Sequence, residues 1–141
     1  MSRFVVDCSV TMAWCFADEL DEYADTVLQS LSNNQATVPA LWPLEVANTL
    51  LHGERRRRLT EAASQRFLDL LESLPIEIDR ETAARATGPT LAVAREYGLT
   101  AYDAAYLELS MSEGLSLATR DRKMRTAVTA AGVKLFTPIR H

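Results

Sequence analysis

The sequence has few of the residues that usually carry nucleophilic or zinc chemistry. Its 141 residues include two histidines and two cysteines. The spacing of Cys8 and Cys15 fits neither a CxxC redox motif nor a zinc knuckle. Neither His52 nor His141 has an identifiable Ser or Cys partner, so catalytic triads have little support.

Long apolar runs are also missing. No stretch approaches the ~20 residues that span a bilayer, and the first residues, MSRFVVDCSV, do not follow the pattern of a signal peptide. The sequence has no repeat or linker, and its length is typical of one domain. We therefore expect a cytoplasmic protein without a membrane partner, folded as one domain over residues 1–141.

The sequence also lacks an excess of positive charge. With 19 acidic and 15 basic residues the net charge is −4, which argues against nucleic-acid binding through overall charge but permits local binding. Of the basic residues 13 are Arg and two are Lys. Arg binds carboxylates and phosphates with two parallel hydrogen bonds, although the base composition of the genome explains the bias equally well.

Short apolar runs alternate with amphipathic segments. The predicted strands are Phe4–Val6, Ala36–Val38, Ile76–Ile78, Leu115–Ala118 and Val133–Phe136. Helices are predicted between them, including one that Ser9 caps and a long one within Pro39–Leu59. A further helix is predicted over Arg80–Tyr97, with a break at Gly88–Pro89. This alternation predicts an α/β protein whose parallel sheet is covered on both faces.

Four acidic residues are candidates for a catalytic site. Asp7 and Asp121 each follow a predicted strand, and open parallel sheets bind ligands at the carboxyl ends of their strands. Glu45 is the only charge in the apolar run ALWPLEVANTLL, where a carboxylate is costly unless it is paired or binds a cation. Asp103 follows Thr100 with the spacing of a capping box. Capping explains Asp103 and Asp121 individually as well as function does, and convergence with Asp7 favours function.

Carboxylates without His or Cys favour a hard cation, Mg²⁺ or Mn²⁺. Such a cation orients and deprotonates a water and neutralises charge developing on a phosphodiester. The supporting polar residues are Ser9 and Thr119, which could hold a water or a phosphate oxygen, and Asn48, which shares a helix face with Glu45. The candidate phosphate-binding residues flank Asp121 and are Arg120, Arg122, Lys123 and Arg125. The run Arg55–Arg58 spreads about 300° around a helix, and it fits a solvated helix end, RNA contact or dimer contact.

Four segments in order resemble the PIN-domain nucleases, and within them the VapC-like toxins of type II toxin–antitoxin pairs. They are VVDCSV with Asp7 and Ser9, PLEVANTL with Glu45 and Asn48, LTAYDAAYLELS with Asp103, and LATRDRKM with Thr119 and Asp121. The resemblance extends over essentially the whole chain.

The resemblance implies a three-layer α/β/α sandwich with a parallel sheet of four to five short strands. It implies Mg²⁺ or Mn²⁺ at Asp7, Asp103 and Asp121, with Glu45 as ligand or water-positioning group. It further implies endonucleolytic hydrolysis of RNA, a homodimer, and a small antitoxin that inserts a tail into the acidic pocket. The alternatives are an RNA-processing nuclease outside a toxin system and a scaffold that binds RNA or protein without cutting.

Two other folds with an acid after the first strand fit less well. A haloacid-dehalogenase-like phosphatase needs D-x-D-x-T, and here Ser9 stands where the second Asp is required. A receiver domain needs an acidic pair after its first strand, and here Cys8 follows Asp7.

Overall fold

The sheet is parallel throughout. The computed structural model describes residues 2–16 and 21–138. Within them four strands pair in the order β3-β2-β1-β4, each pair parallel. They are β1 (Arg3–Val6), β2 (Gln35–Val38), β3 (Ile76–Ile78) and β4 (Ser116–Ala118). The predicted parallel sheet is confirmed.

Helices connect the strands and cover the sheet, which confirms the predicted three-layer α/β/α sandwich. They are α1 (Cys8–Ala13), α2 (Glu22–Ser30), α3 (Trp42–Arg55), α4 (Glu61–Ser73), α5 (Thr82–Arg85), α6 (Leu91–Tyr97), α7 (Ala101–Glu113) and α8 (Arg122–Ala130). A π-helical turn, Ala86–Thr90, joins α5 to α6. The break predicted at Gly88–Pro89 is this turn, because Pro89 has no amide hydrogen to donate.

The central strand β1 is buried on both faces. Phe4, Val5 and Val6 are each 0% exposed, and successive side chains of a strand point to opposite faces. Helix α7 contacts both β1 and β4, and each of its residues from Ala104 to Ser110 is buried. Because α7 is enclosed in this way, the residues of its first turn are held firmly relative to the sheet.

Two predicted features differ from the structure. Ser9 does not cap the first helix, because Asp7 is the capping residue and accepts the Val10 amide at 3.2 Å. The predicted fifth strand is reduced to a single bridge between Leu117 and Leu135. Two backbone hydrogen bonds make this bridge, from the Leu117 amide to the Lys134 carbonyl at 3.0 Å and from the Phe136 amide to the Leu117 carbonyl at 2.9 Å. The ring of Phe136 also stacks on Phe4 at 3.8 Å.

No helix in residues 2–16 or 21–138 is both long and apolar enough to cross a bilayer. The expectations of a cytoplasmic location and of a single domain over residues 1–141 stay predictions.

Candidate functional site

Asp7 and Thr119 follow adjacent strands at the same edge of the sheet. Strand β1 pairs with β4 so that Val6 lies opposite Ala118, and the Asp7 amide donates to the Ala118 carbonyl at 3.1 Å. Asp7 is 6% exposed and Thr119 is fully buried. The sheet register therefore holds a carboxylate beside a hydroxyl at the carboxyl ends of two neighbouring strands.

The carboxylate of Asp7 is buried but well bonded. Its Oδ1 accepts hydrogen bonds from Ser9 Oγ at 2.6 Å and from the Val10 amide at 3.2 Å. Burial nevertheless raises the pKa of Asp7 from 3.8 to about 6, and the negative charge of Asp103 adds to that rise. The hydrogen bonds from Ser9, Thr119 and the Val10 amide oppose it without cancelling it.

Glu45 lies in the first turn of α3, which packs on α1. The Trp42 indole donates to Thr11 Oγ1 at 3.0 Å, and the Thr11 hydroxyl donates to the Asp7 carbonyl at 3.1 Å. This chain of hydrogen bonds sets the start of α3 against the start of α1, so that Glu45 and Asp7 are brought to the same region.

The side chain of Glu45 is held by a residue that the sequence analysis did not select. The hydroxyl of Tyr106, on α7, donates a hydrogen bond to Glu45 Oε1 at 2.5 Å. Burial raises the pKa of Glu45, the bond from Tyr106 opposes the rise, and the charges of Asp103 and Asp7 add to it. The negative charges of two other candidate acids, Asp103 and Asp7, therefore contribute to the raised pKa of Glu45.

Asp103 lies in the first turn of α7, where Thr100 Oγ1 accepts its amide hydrogen at 3.1 Å. Half of the predicted capping box is thus present, and the Thr100 hydroxyl also interacts with the Asp103 carboxylate. Burial raises the pKa of Asp103, and the charge of Asp121 adds to the rise, while Lys123 and the Thr100 bond oppose it. Asp103 is therefore the residue whose charge reaches Asp7, Glu45 and Asp121.

Asp121 has the capping role that the sequence left open. Its Oδ2 accepts the Met124 amide at the start of α8 at 2.8 Å, and its own amide donates to Thr119 Oγ1 at 3.0 Å. The side chain is exposed. Its charge still adds to the raised pKa of Asp103. Asp121 therefore both caps α8 and contributes charge to the acidic group.

Cys8, beside Asp7, is poorly suited to act as a nucleophile. Burial raises the pKa of its thiol to about 12, and the charges of Glu45 and Asp7 add to the rise. A thiol that stays protonated at neutral pH is a poor nucleophile.

The donor set fits a hard divalent cation in its chemistry, because all four candidate groups are carboxylates. In the described part of the chain no three His, Cys, Asp or Glu side chains converge closely enough to form a metal-binding group. Like charges repel, and two of the carboxylates, Asp7 and Asp121, are turned toward helix amides. The predicted metal ligands Asp7, Glu45, Asp103 and Asp121 stay a prediction.

Ser9 connects the two strand ends. Its hydroxyl donates to Asp7 and accepts the Arg120 amide at 3.1 Å. Thr119, predicted as a supporting residue, also interacts with the Asp7 carboxylate. Asn48, one turn after Glu45, is exposed and lines a groove with it.

Two of the four predicted phosphate-binding residues already have protein partners. Arg120 Nε donates to Asp21 Oδ2 at 2.6 Å. Arg125 Nε donates to the Thr119 carbonyl at 2.9 Å, and its guanidinium lies 4.9 Å from the centre of the Tyr23 ring. These contacts keep both guanidinium groups near the acids but use part of their donors.

Residues 4–128 match the PIN domain family. The chain belongs to the PIN domain family. The resemblance inferred from the four segments is thereby confirmed. The chain is also 30% identical over 122 residues to Ribonuclease VapC3 of Pyrobaculum aerophilum, covering 86% of this chain and 92% of that protein.

Solved structures have the same fold as this PIN domain. PAE2754 from Pyrobaculum aerophilum superposes with a TM-score of 0.66 at 29% identity, covering 90% of this chain and 87% of that chain. A toxin–antitoxin complex from Klebsiella pneumoniae gives a TM-score of 0.62 at 18% identity, covering 98% of this chain and 99% of that chain. The second likeness concerns the fold alone.

The PIN domain has a groove of about 460 Å³ beside Glu45. We call it the Glu45 groove. Its lining residues are Cys8, Ser9, Met12, Phe16, Glu45, Asn48, Thr49, Arg58 and Arg120. Arg58 reaches it because α3 ends at Arg55 and Arg57 takes a left-handed conformation, φ 60°. The guanidinium of Arg58 then lies 4.2 Å from the centre of the Phe16 ring, so it is this member of the Arg55–Arg58 run that lines the groove.

Sequence reasoning missed Tyr106, and it named Arg58 only as one member of the run Arg55–Arg58. Tyr106 follows Asp103 by three positions, so it lies on the same face of α7, a spacing that could have drawn attention to it. No local signal distinguished Arg58 from the other three arginines of the run, because its position depends on the turn after α3.

Proposed function

We propose that this PIN domain is a metal-dependent endoribonuclease that acts as the toxin of a toxin–antitoxin pair. The observation that carries the proposal is electrostatic. Burial raises the pKa values of Asp7, Glu45 and Asp103, and the charge of at least one neighbouring carboxylate adds to each rise. A fold gains nothing from holding repelling carboxylates together unless a cation compensates them. The similarity to Ribonuclease VapC3 supports the same activity.

Asp7, Asp103 and Asp121 are the residues that would hold Mg²⁺ or Mn²⁺, with Glu45 as a further ligand or as the group that positions the water. When bound, the cation would stabilise negative charge on a phosphodiester and make a water more acidic. The residues of the chain would then have different roles. Glu45, half-buried and held at one oxygen, is suited to accept a proton from the attacking water at Oε2. Ser9 and Thr119 hold Asp7, the most buried of the four carboxylates, in a fixed orientation.

RNA is the proposed substrate, bound along the acidic edge by nearby cations. Arg122 and Lys123 are exposed in the first turn of α8, and Lys123 lies close enough to Asp103 to lower its pKa. On the other side Arg58 and Arg120 line the Glu45 groove. Cations on both sides of the carboxylates would hold the phosphates that flank the cleaved bond.

A small cognate antitoxin and a second copy of the chain are the proposed protein partners. The solved complex from Klebsiella pneumoniae, whose fold this chain shares, is a toxin–antitoxin complex. The acidic edge would attract a basic antitoxin tail. Leu44 and Leu51 on α3 are 74% and 43% exposed, and they lie on one face at a spacing of seven residues. Burial of that face would favour a homodimer.

The test is RNA cleavage by the purified protein with Mn²⁺, with EDTA, and in two variants. Asp7→Asn and Asp103→Asn keep side-chain shape and remove charge, and we expect each to lower the rate by orders of magnitude. Glu113→Gln is the matched control, because Glu113 is exposed at the opposite end of α7 from Asp103. If both Asp variants cut RNA at the wild-type rate, the proposed nuclease activity is wrong. A toxin role further requires that a basic antitoxin encoded beside the gene suppress the cleavage.

A further inference from the structure

Tyr106 places a hydroxyl group in the interior of the protein. The residue is 1% exposed, and a buried tyrosine hydroxyl normally needs a hydrogen-bond partner. The partner here is Glu45 Oε1, at 2.5 Å. The bond joins α7 to the first turn of α3 across 61 residues of sequence, so it is a tertiary contact that the fold has to build.

The same helix face supplies a candidate ligand and this hydroxyl. Asp103 and Tyr106 are three residues apart on α7 and therefore lie on one side of it. Helix α7 is buried along most of its length, which leaves it little freedom to shift. Any movement of α7 that displaced Asp103 would also displace the group that holds Glu45.

The bond makes the two oxygens of Glu45 unequal. Oε1 is occupied by Tyr106, whereas Oε2 accepts no hydrogen bond from the other described residues. A glutamate side chain has a broad terminal torsion, so an unheld carboxylate would sample many orientations. Anchoring one oxygen leaves a single oxygen in a defined direction for a proton, a water or a cation.

We propose that Tyr106 is a positioning residue, which holds Glu45 so that Oε2 alone serves the reaction. This inference rests on the proposed nuclease function. It assigns Glu45 a one-oxygen role rather than that of a bidentate ligand, and it makes the Tyr106 hydroxyl part of the reaction site although it touches no substrate. Groups that orient metal ligands in this way typically contribute 10- to 100-fold to affinity or rate.

The decisive variant is Tyr106→Phe, which removes one oxygen atom from the interior and keeps the ring. Tyr102→Phe is the matched control, because Tyr102 lies on the same helix with 68% exposure. Thermal melting first verifies that each variant is folded. We expect Tyr106→Phe to lower kcat for RNA cleavage by about 10-fold or more, with KM within about twofold, and Tyr102→Phe to leave both unchanged.

A double-variant comparison separates positioning from a merely structural role. If Tyr106 acts through Glu45, adding Tyr106→Phe to Glu45→Gln lowers kcat no further. Calorimetric Mn²⁺ titration gives a readout that does not depend on activity, and there too Tyr106→Phe should have no added effect once Glu45 is Gln. An equal loss in both backgrounds, or a wild-type kcat in Tyr106→Phe, overturns this inference while leaving the nuclease assignment intact. A wild-type protein that neither binds Mn²⁺ nor cuts RNA overturns the proposed function, and the inference falls with it.

Discussion

The hydroxyl of Ser9 donates a hydrogen bond to Asp7 Oδ1 at 2.6 Å. The same hydroxyl accepts the amide of Arg120 at 3.1 Å, so it links the turn after β1 to the turn after β4. Asp7 therefore has its orientation set from both strands. This hydrogen bonding explains how a carboxylate with a strongly raised pKa can still be held in one place.

Replacing Asp7 with Asn should stabilise the metal-free protein above pH 6. The pKa of Asp7 is raised by burial from 3.8 to about 6, so the folded state retains a proton that the unfolded state releases. Stability is therefore lost as pH rises from about 4 to about 6, and the penalty is fully present above that range. Asn keeps the capping oxygen and carries no charge.

Urea denaturation of both proteins in EDTA, at several pH values, measures this effect. We expect the difference to grow from near zero at pH 4 to at most on the order of 3 kcal/mol at pH 7. Asp25→Asn, at an exposed position of α2, serves as the control. A difference that does not vary with pH would contradict the raised pKa.

Asp121 should give different results with two substitutions. Asp121→Ala removes the cap that accepts the Met124 amide, at a cost of about 1 kcal/mol. Asp121→Asn keeps an oxygen acceptor and should cost far less. If Asp121 also belongs to the cation site, both variants weaken Mn²⁺ binding by similar factors. Melting and calorimetric titration of the two proteins separate these roles, and unchanged Mn²⁺ affinity in both would leave capping as the whole role.

Glu108 should behave as a structural acid. It is 5% exposed on α7, and Arg85 bonds both to Glu108 Oε1 and to Asp79 Oδ2, each at 2.5 Å. Its charge is neutralised within the protein, unlike the charges of the four candidate acids. We expect Glu108→Ala to lower the free energy of unfolding by about 2 kcal/mol and to leave kcat per folded molecule unchanged. A large fall in kcat would show that the acidic site extends to this residue.

Arg58 should contribute to RNA binding and Arg55 should not. Arg58 lines the Glu45 groove, whereas Arg55 ends α3 and does not line it. Arg58→Ala should raise KM for RNA, and it should reduce the slope of log affinity against log salt by about one, as expected for one lost phosphate contact. Arg55→Ala is the matched control, since it removes an equal charge. Equal effects of the two variants would mean that only overall charge matters.

Several features of the fold and site followed from local sequence. The alternation of apolar runs and helices predicted the parallel sheet, and the positions of Asp7 and Asp121 after strands placed them at one edge. The prediction of a fifth strand, which also came from local sequence, was wrong. The apolar run Val133–Phe136 has the composition of a strand, yet in the structure it forms a single bridge to β4, at Leu135.

The amino-acid sequence by itself determined which residues are acidic and where the strands end, since hydrophobic periodicity and residue chemistry are local properties. Tertiary structure alone decided which group holds Glu45 and which arginine lines the Glu45 groove. The bond from Tyr106 to Glu45 depends on how α7 packs against α3. The position of Arg58 over the Phe16 ring depends on the left-handed conformation of Arg57. Such geometry arises from the packing of the whole core, so no short window of sequence contains it.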